Sequence, residues 1–278
     1  MKTLYLSDVD GTLTVGDNHL SAETRALLGQ VVERKLPLAL ATGRSLNGIH
    51  DLTELLGHGL PAVVLNGALI YDLAQERALA TWAIPTPQAQ QLCRLFEEAG
   101  MPFTTNIFLP DEQRCKVYFN YDKSYPWPMR AKNRTNGLLH DYRIRCHDSV
   151  LPHMAEGECL YIGCDASYEA VLPIYQQVQQ LPGVRGFFHQ SAYRPGVWFL
   201  DIVAADSGKG TAARWLKEHF AAQELVTFGD NRNDIPMLQA GDRSYAMAWA
   251  PKEVQEAATA VLPDDPNSVL RFLLEDAR

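Results

Sequence analysis

Residues 3–14 read Thr-Leu-Tyr-Leu-Ser-Asp-Val-Asp-Gly-Thr-Leu-Thr, an apolar run that ends in two carboxylates two positions apart. This pattern narrows the stretch to a buried strand that delivers Asp8 and Asp10 at its carboxyl end. Gly11 lets the backbone turn away sharply, and the Thr12 hydroxyl can bond back into the turn. Two carboxylates held this close repel each other, so the arrangement is costly unless a divalent cation neutralises it or one group stays protonated. Both outcomes suit catalysis.

The same pattern of apolar strand and polar tip recurs along the chain. Residues 36–41 are apolar without alternation, as a parallel strand buried on both faces requires, and they run into Thr42-Gly43-Arg44-Ser45. A hydroxyl, a glycine exposing its backbone N–H and a helix predicted over 45–56 together make an anion site. Residues 61–65 predict a third buried strand ending in Asn66-Gly67, which places Asn66 at the same crevice of a doubly wound sheet. Further on, Asp206-Ser207-Gly208-Lys209-Gly210 opens a helix over 211–220. A lysine between two glycines at a helix start can approach anionic oxygens closely. The apolar strand 225–228 then leads into Gly229-Asp230-Asn231-Arg232-Asn233-Asp234, where Asp230 and Asp234 can converge on a cation. Ser21 is the predicted N-cap of a helix over 22–35, and Asn267 that of a closing helix over 269–274.

Between residues 84 and 203 this rhythm stops. Helices over 86–99 and 168–181 alternate with strands over 103–106, 115–121, 159–164, 185–190 and 197–204, which reads as a separate α+β domain on an antiparallel sheet. The predicted division is a Rossmann-like core of residues 1–83 and 204–278 with an inserted α+β domain of residues 84–203. Within the insertion, Tyr118, Tyr121, Trp127, His189 and Arg194 are candidate substrate contacts. The basic run 130–145 holds Arg130, Lys132, Arg134, Arg143 and Arg145 against Asp141; it reads as a solvated face or as a contact to a second anionic group. Cys93, Cys115, Cys146, Cys159 and Cys164 are odd in number and form no C-x-x-C pair, which fits reduced thiols. A zinc cluster of Cys146, His147, His153, Cys159 and Cys164 matches no familiar spacing.

Of the 278 residues, 46% are hydrophobic, enough for two cores, and the net charge of −8 argues against a nucleic-acid or anionic-membrane surface. No apolar run reaches about 18 residues and no signal-type segment opens the chain, so the expected location is cytoplasmic.

Taken in order, these pieces resemble the haloacid dehalogenase (HAD) superfamily, most of whose members are Mg²⁺-dependent phosphatases. Asp8-Val9-Asp10-Gly11-Thr12 is similar to its first motif, Thr42 to its second, Lys209 to its third and the G-D-x-x-N-D of residues 229–234 to its fourth. Arg44 is similar to the arginine of the T-G-R in the Cof-type branch, and an insertion after the third strand resembles the type IIB cap. The resemblance implies Asp8 as nucleophile, Asp10 as general acid and base, and Lys209 as the balancing cation. It implies Mg²⁺ held by the Asp8 carboxylate, the Asp10 backbone carbonyl and Asp230, with Asp234 orienting the metal shell. Thr42, Gly43, Arg44, Asn66, Lys209 and Asn233 are the implied phosphate or substrate contacts. The implied activity is hydrolysis of a small phosphorylated metabolite, a sugar phosphate, nucleotide or pyridoxal phosphate, with neither nucleic acid nor membrane as partner. A sugar-phosphate mutase and a non-catalytic phosphate-ligand-binding descendant are the alternatives, and oligomeric state is not legible.

Overall fold

The computed structural model describes residues 2–14, 20–56, 59–120, 141–146, 148–191 and 194–277. Tyr121, Trp127, Arg130, Lys132, Arg134 and His147 lie outside the described residues. In chain order the elements are β1 (Thr3–Ser7), α1 (Ala22–Glu33), β2 (Leu38–Leu40), α2 (His50–Leu56), β3 (Ala62–Val64), β4 (Leu69–Asp72), β5 (Arg77–Thr81) and α3 (Thr86–Glu98). There follow β6 (Thr104–Leu109), β7 (Arg114–Phe119), β8 (Asp141–Arg145), β9 (Glu158–Ala166), α4 (Tyr168–Val178), β10 (Val184–Gln190) and β11 (Trp198–Ala204). The chain closes with α5 (Lys209–His219), β12 (Glu224–Gly229), α6 (Ile235–Ala240), β13 (Arg243–Ala246), α7 (Lys252–Ala257), β14 (Ala260–Val261) and α8 (Ser268–Asp276).

Two compact units result, one of Met1–Arg44, Ile49–Gln75 and Gly208–Arg278, the other of Ser45–Gly48 and Glu76–Ser207. The first is built on a five-stranded sheet in the order β14-β13-β12-β1-β2, and each neighbouring pair is parallel. Leu4 and Leu6 are buried, and β1 is an interior strand of this sheet with a strand on each side. The chain leaves β1 toward β2 on one side and returns as β12 on the other, so strand order reverses at β1. In α/β sheets such a reversal opens a crevice beyond the carboxyl ends of the strands. Asp8 and Asp230 both sit there, since Ser7 pairs with Phe228 in the ladder.

β3 departs from the expected third sheet strand. It meets the sheet through a single parallel bridge, Ala41 to Val63, and spends its ladder on β4, to which it is antiparallel. Ser21 caps α1 as predicted, accepting from the Thr24 N–H at 3.0 Å. Asn267 stands at the start of α8 but makes no cap with its side chain. Its carboxamide oxygen accepts from the Thr24 hydroxyl at 2.8 Å, tying the two helices together across the sequence.

The second unit is a six-stranded sheet in the order β10-β11-β9-β6-β7-β8. Its neighbours are antiparallel except β7 and β8, which run parallel; the sequence predicts an antiparallel sheet throughout. Leu92, Phe96, Val171 and Ile174 from α3 and α4 pack with Ile107, Ile162 and Leu200 in one apolar core. Cys93, Cys146, Cys159 and Cys164 belong to that core, and all five cysteines are buried and unpaired with one another. Burial pushes the Cys159 thiol up to about 12, the behaviour of an inert small hydrophobe. Among the described residues no helix is long and apolar enough to cross a membrane.

Candidate active site

The end of β1 is fixed before any function is considered. The Asp8 amide continues the ladder to the Phe228 carbonyl at 2.9 Å. The amides of Thr12, Leu13 and Thr14 then converge on the Val9 carbonyl at 3.3, 3.0 and 2.9 Å, closing a tight turn. Gly11 sits in that turn with φ +88°, and a Cβ there would lie 2.3 Å from an Asp230 carboxylate oxygen. Glycine is therefore what allows the loop after β12 to press its carboxylate against the turn after β1. The contact is completed by the Thr12 hydroxyl, which donates to Asp230 Oδ1 at 2.8 Å. Sequence reasoning gave Thr12 a bond within its own turn only. It passed over Trp249 as well, whose indole N–H donates to the Gly11 carbonyl at 2.8 Å.

Lys209 enters the crevice from the first turn of α5. Its side chain is buried, and Nζ donates to Asp8 Oδ1 at 2.5 Å and to Asp234 Oδ1 at 2.6 Å. Burial alone would lower its pKa, but the Asp234 and Asp8 carboxylates outweigh that and raise it, so the ammonium keeps its proton. The other Asp234 oxygen accepts the amides of Asp230 and Asn231 at 3.1 and 3.0 Å, so both oxygens of this fully buried carboxylate are held by the protein.

Asp8, Asp230 and Asp234 each bring an oxygen within 4.8 Å of the others. Burial pushes Asp8 well above the ordinary carboxylate range, the Asp234 charge adds to this, and Lys209 pulls against it. Asp230 is pushed up to about 6, again by burial first and Asp234 second. One ammonium thus faces three carboxylates in a buried place. That donor set, hard oxygens with surplus negative charge, fits a divalent cation such as Mg²⁺.

The loop after β2 supplies groups of another kind. The Thr42 hydroxyl accepts the Arg44 amide at 3.1 Å, and the Thr42 carbonyl accepts the Asn66 amide at 3.0 Å. A Cβ on Gly43 would crowd the Asn66 carboxamide at 3.1 Å, and that carboxamide accepts from Asn233 Nδ2 at 2.9 Å. Thr42, Gly43, Asn66 and Asn233 are thereby gathered from three loops. Leu65, Asn66 and Gly67 are all left-handed, with φ of 54°, 54° and 92°. A Cβ on Gly67 would lie 2.2 Å from the Gly208 carbonyl carbon, so this turn abuts the start of the lysine helix. Arg44 turns its fork on Asp10: its Nε donates to Asp10 Oδ2 at 2.8 Å and its Nη2 to Asp10 Oδ1.

The sequence-predicted site residues of the first unit therefore come together. Of the candidate contacts in the second unit, Tyr118 is buried, stacks on His153 and donates to Glu156, which commits it to that unit's own packing. His189 stacks on Phe199, and Arg194 pairs with Asp165 at 2.8 Å. Arg143 and Arg145 stand in β8 opposite Val117 and Phe119.

Comparison with known proteins identifies the family. The haloacid dehalogenase-like hydrolase family matches residues 5–273, and the chain belongs to that family. A pyridoxal phosphate phosphatase of Escherichia coli is 24% identical over 96% of this chain and 95% of its own. Among solved structures, a haloacid dehalogenase-like hydrolase from Bacteroides thetaiotaomicron superposes with a TM-score of 0.76 at 19% identity, over 99% of this chain and 100% of that one. A sugar phosphatase of HAD subclass IIB gives 0.69 at 20% identity, over 100% and 99%. At such identities the two structures establish the shared fold.

Proposed function

We propose that this phosphatase hydrolyses a small phosphorylated metabolite with the help of Mg²⁺, in two phosphoryl transfers through Asp8. The observation that carries the reading is the buried ammonium of Lys209 bonded to Asp8 and Asp234 beside the Asp230 carboxylate. Mg²⁺, held by Asp8, Asp230 and the Asp10 carbonyl, would supply positive charge that draws in phosphate oxygens and offsets their repulsion by the carboxylates.

In the first transfer an Asp8 oxygen attacks phosphorus, and the bond to the leaving oxygen breaks. Asp10 gives its proton to that oxygen, so an alcohol departs and an acyl phosphate stays on Asp8. In the second, Asp10 takes a proton from water as the water oxygen attacks the same phosphorus. The bond to Asp8 breaks, inorganic phosphate leaves, and Asp10 is protonated again. Lys209 keeps the nucleophile oriented and balances its charge, while Asp234 acts from behind by holding Lys209 and the amides of the β12 loop. Thr42 and the Gly43 amide, with Asn66 and Asn233, would receive the phosphate oxygens.

The substrate classes proposed are sugar phosphates, nucleotides and pyridoxal phosphate; similar proteins include a pyridoxal phosphate phosphatase and a sugar phosphatase. A panel of these compounds, assayed for phosphate release with Mg²⁺ and with chelator, tests the reading. Phosphate release that needs Mg²⁺ and is lost in Asp8→Asn supports it. Isomerised sugar phosphate without released phosphate would assign a mutase, and activity retained in Asp8→Asn would remove the nucleophile.

A further inference from the structure

The backbone does not by itself determine the orientation of the Asp10 carboxylate. The turn that follows β1 fixes its Cα, but the terminal torsion of an aspartate is broad and roughly two-fold, so the carboxylate plane needs an external hold. Arg44 supplies one. Its backbone is pinned on both sides, the amide on the Thr42 hydroxyl at 3.1 Å and the carbonyl under the Leu65 amide at 2.9 Å. From that fixed point Nε and Nη2 take the two Asp10 oxygens, the forked pairing that a planar guanidinium makes with a carboxylate. The two side chains are 23% and 34% exposed, so the pair is neither sealed in the core nor washed by bulk water.

We infer that Arg44 is a positioning residue for Asp10: it sets the plane of the carboxylate from which the proton passes to the leaving oxygen, and it does not bind the phosphate. Each carboxylate oxygen offers two lone-pair directions, so an oxygen that accepts from Arg44 keeps one for the reacting proton. The inference rests on Asp10 being the acid and base of the proposed reaction. Nothing changes in the balance of the two transfers; Arg44 neither gains nor loses a proton in either.

A positioning role and a phosphate-binding role predict different dependences on the leaving group. A good leaving group such as 4-nitrophenolate departs without a proton, whereas an alkoxide requires one. The readout is kcat/KM, which reports the first transfer, across aryl and alkyl phosphates of graded leaving-group basicity. Arg44→Lys keeps the charge and loses the fork, and is expected to cost about 100-fold on an alkyl phosphate but less than about tenfold on 4-nitrophenyl phosphate. In an Asp10→Asn background the same change should add less than about threefold on either substrate, because residues acting as a unit are not additive. The leaving-group comparison is a ratio between substrates on one preparation, so a partly misfolded fraction cancels there, and the Asp10→Asn comparison is normalised to the folded fraction; Arg44→Gln serves where the lysine variant does not fold. A loss equal across the series, or one that persists undiminished in Asp10→Asn, overturns the inference and returns Arg44 to the phosphate. Wild-type protein that releases phosphate from no ester in the series, or an Asp10→Asn variant with undiminished alkyl phosphatase activity, would instead strike the reading of Asp10 beneath it.

Discussion

Lys209 occupies a place where a cation is tolerated only because two carboxylates meet it. Replacing it by Met would leave Asp8 and Asp234 buried with no counter-charge between them. Removing one member of such a network is destabilising by about 3–5 kcal/mol. Urea unfolding of Lys209→Met in metal-free buffer should show a loss of that order, and a separate assay with Mg²⁺ should show loss of phosphatase activity. Glu156 shows the opposite regime, near the surface. Burial alone would raise its pKa, but bonds from His153, Tyr118 and Lys116 overcome that and hold it down to about 2, from 4.5. A carboxyl depressed on folding contributes stability that is present above its unfolded pKa and lost as pH falls from there through the folded value. Acid unfolding should therefore find wild type more stable than Glu156→Gln at neutral pH, with the gap closing between pH 4.5 and about 2. A gap of constant size would sink this assignment.

Elements fix which of these residues can meet, and here the sequence was legible to different depths. Asp8, Thr42, Lys209 and Asp230 were readable because each stands at a strand end or helix start, features set by a few neighbouring residues. The partners that complete the site were not, since Thr12 meets Asp230, and Trp249 meets Gly11, across more than 200 positions. No local pattern encodes such pairings. The same limit explains β3, whose apolar run announces a strand but not that its ladder goes to β4, and β8, whose direction relative to β7 depends on the intervening chain. Asn267 looked like a cap because it is an asparagine before an apolar run; its side chain serves Thr24 instead. The turn 65–67 is the element-scale feature with the plainest test. Gly67→Ala would force a methyl into the Gly208 backbone and impose a left-handed φ on alanine. Loss of stability of about 1–3 kcal/mol is expected by thermal unfolding, with a fall in kcat as the start of α5 shifts. Wild-type melting and turnover would show that the contact relaxes freely.

At the scale of the molecule, metal is expected to act as a folding ligand of the first unit. Binding that favours the folded state stabilises by mass action, about 2.7 kcal/mol at a free concentration of 100 Kd. Mg²⁺ should raise the melting temperature of wild type, and Asp230→Asn should abolish most of that rise; an undiminished rise would place the ion elsewhere. The arrangement of β1 has a temporal consequence. Its neighbour β12 and the lysine helix α5 lie some 200 residues downstream, on the far side of the segment that builds most of the second unit. During synthesis β1, which leads into Asp8, must wait without its β12 partner while residues 76–207 emerge. A nascent chain released before Asp234 is made would carry Asp8 yet possess neither the lysine clamp nor the acidic loop in finished form, so turnover should switch on only once residue 234 has emerged.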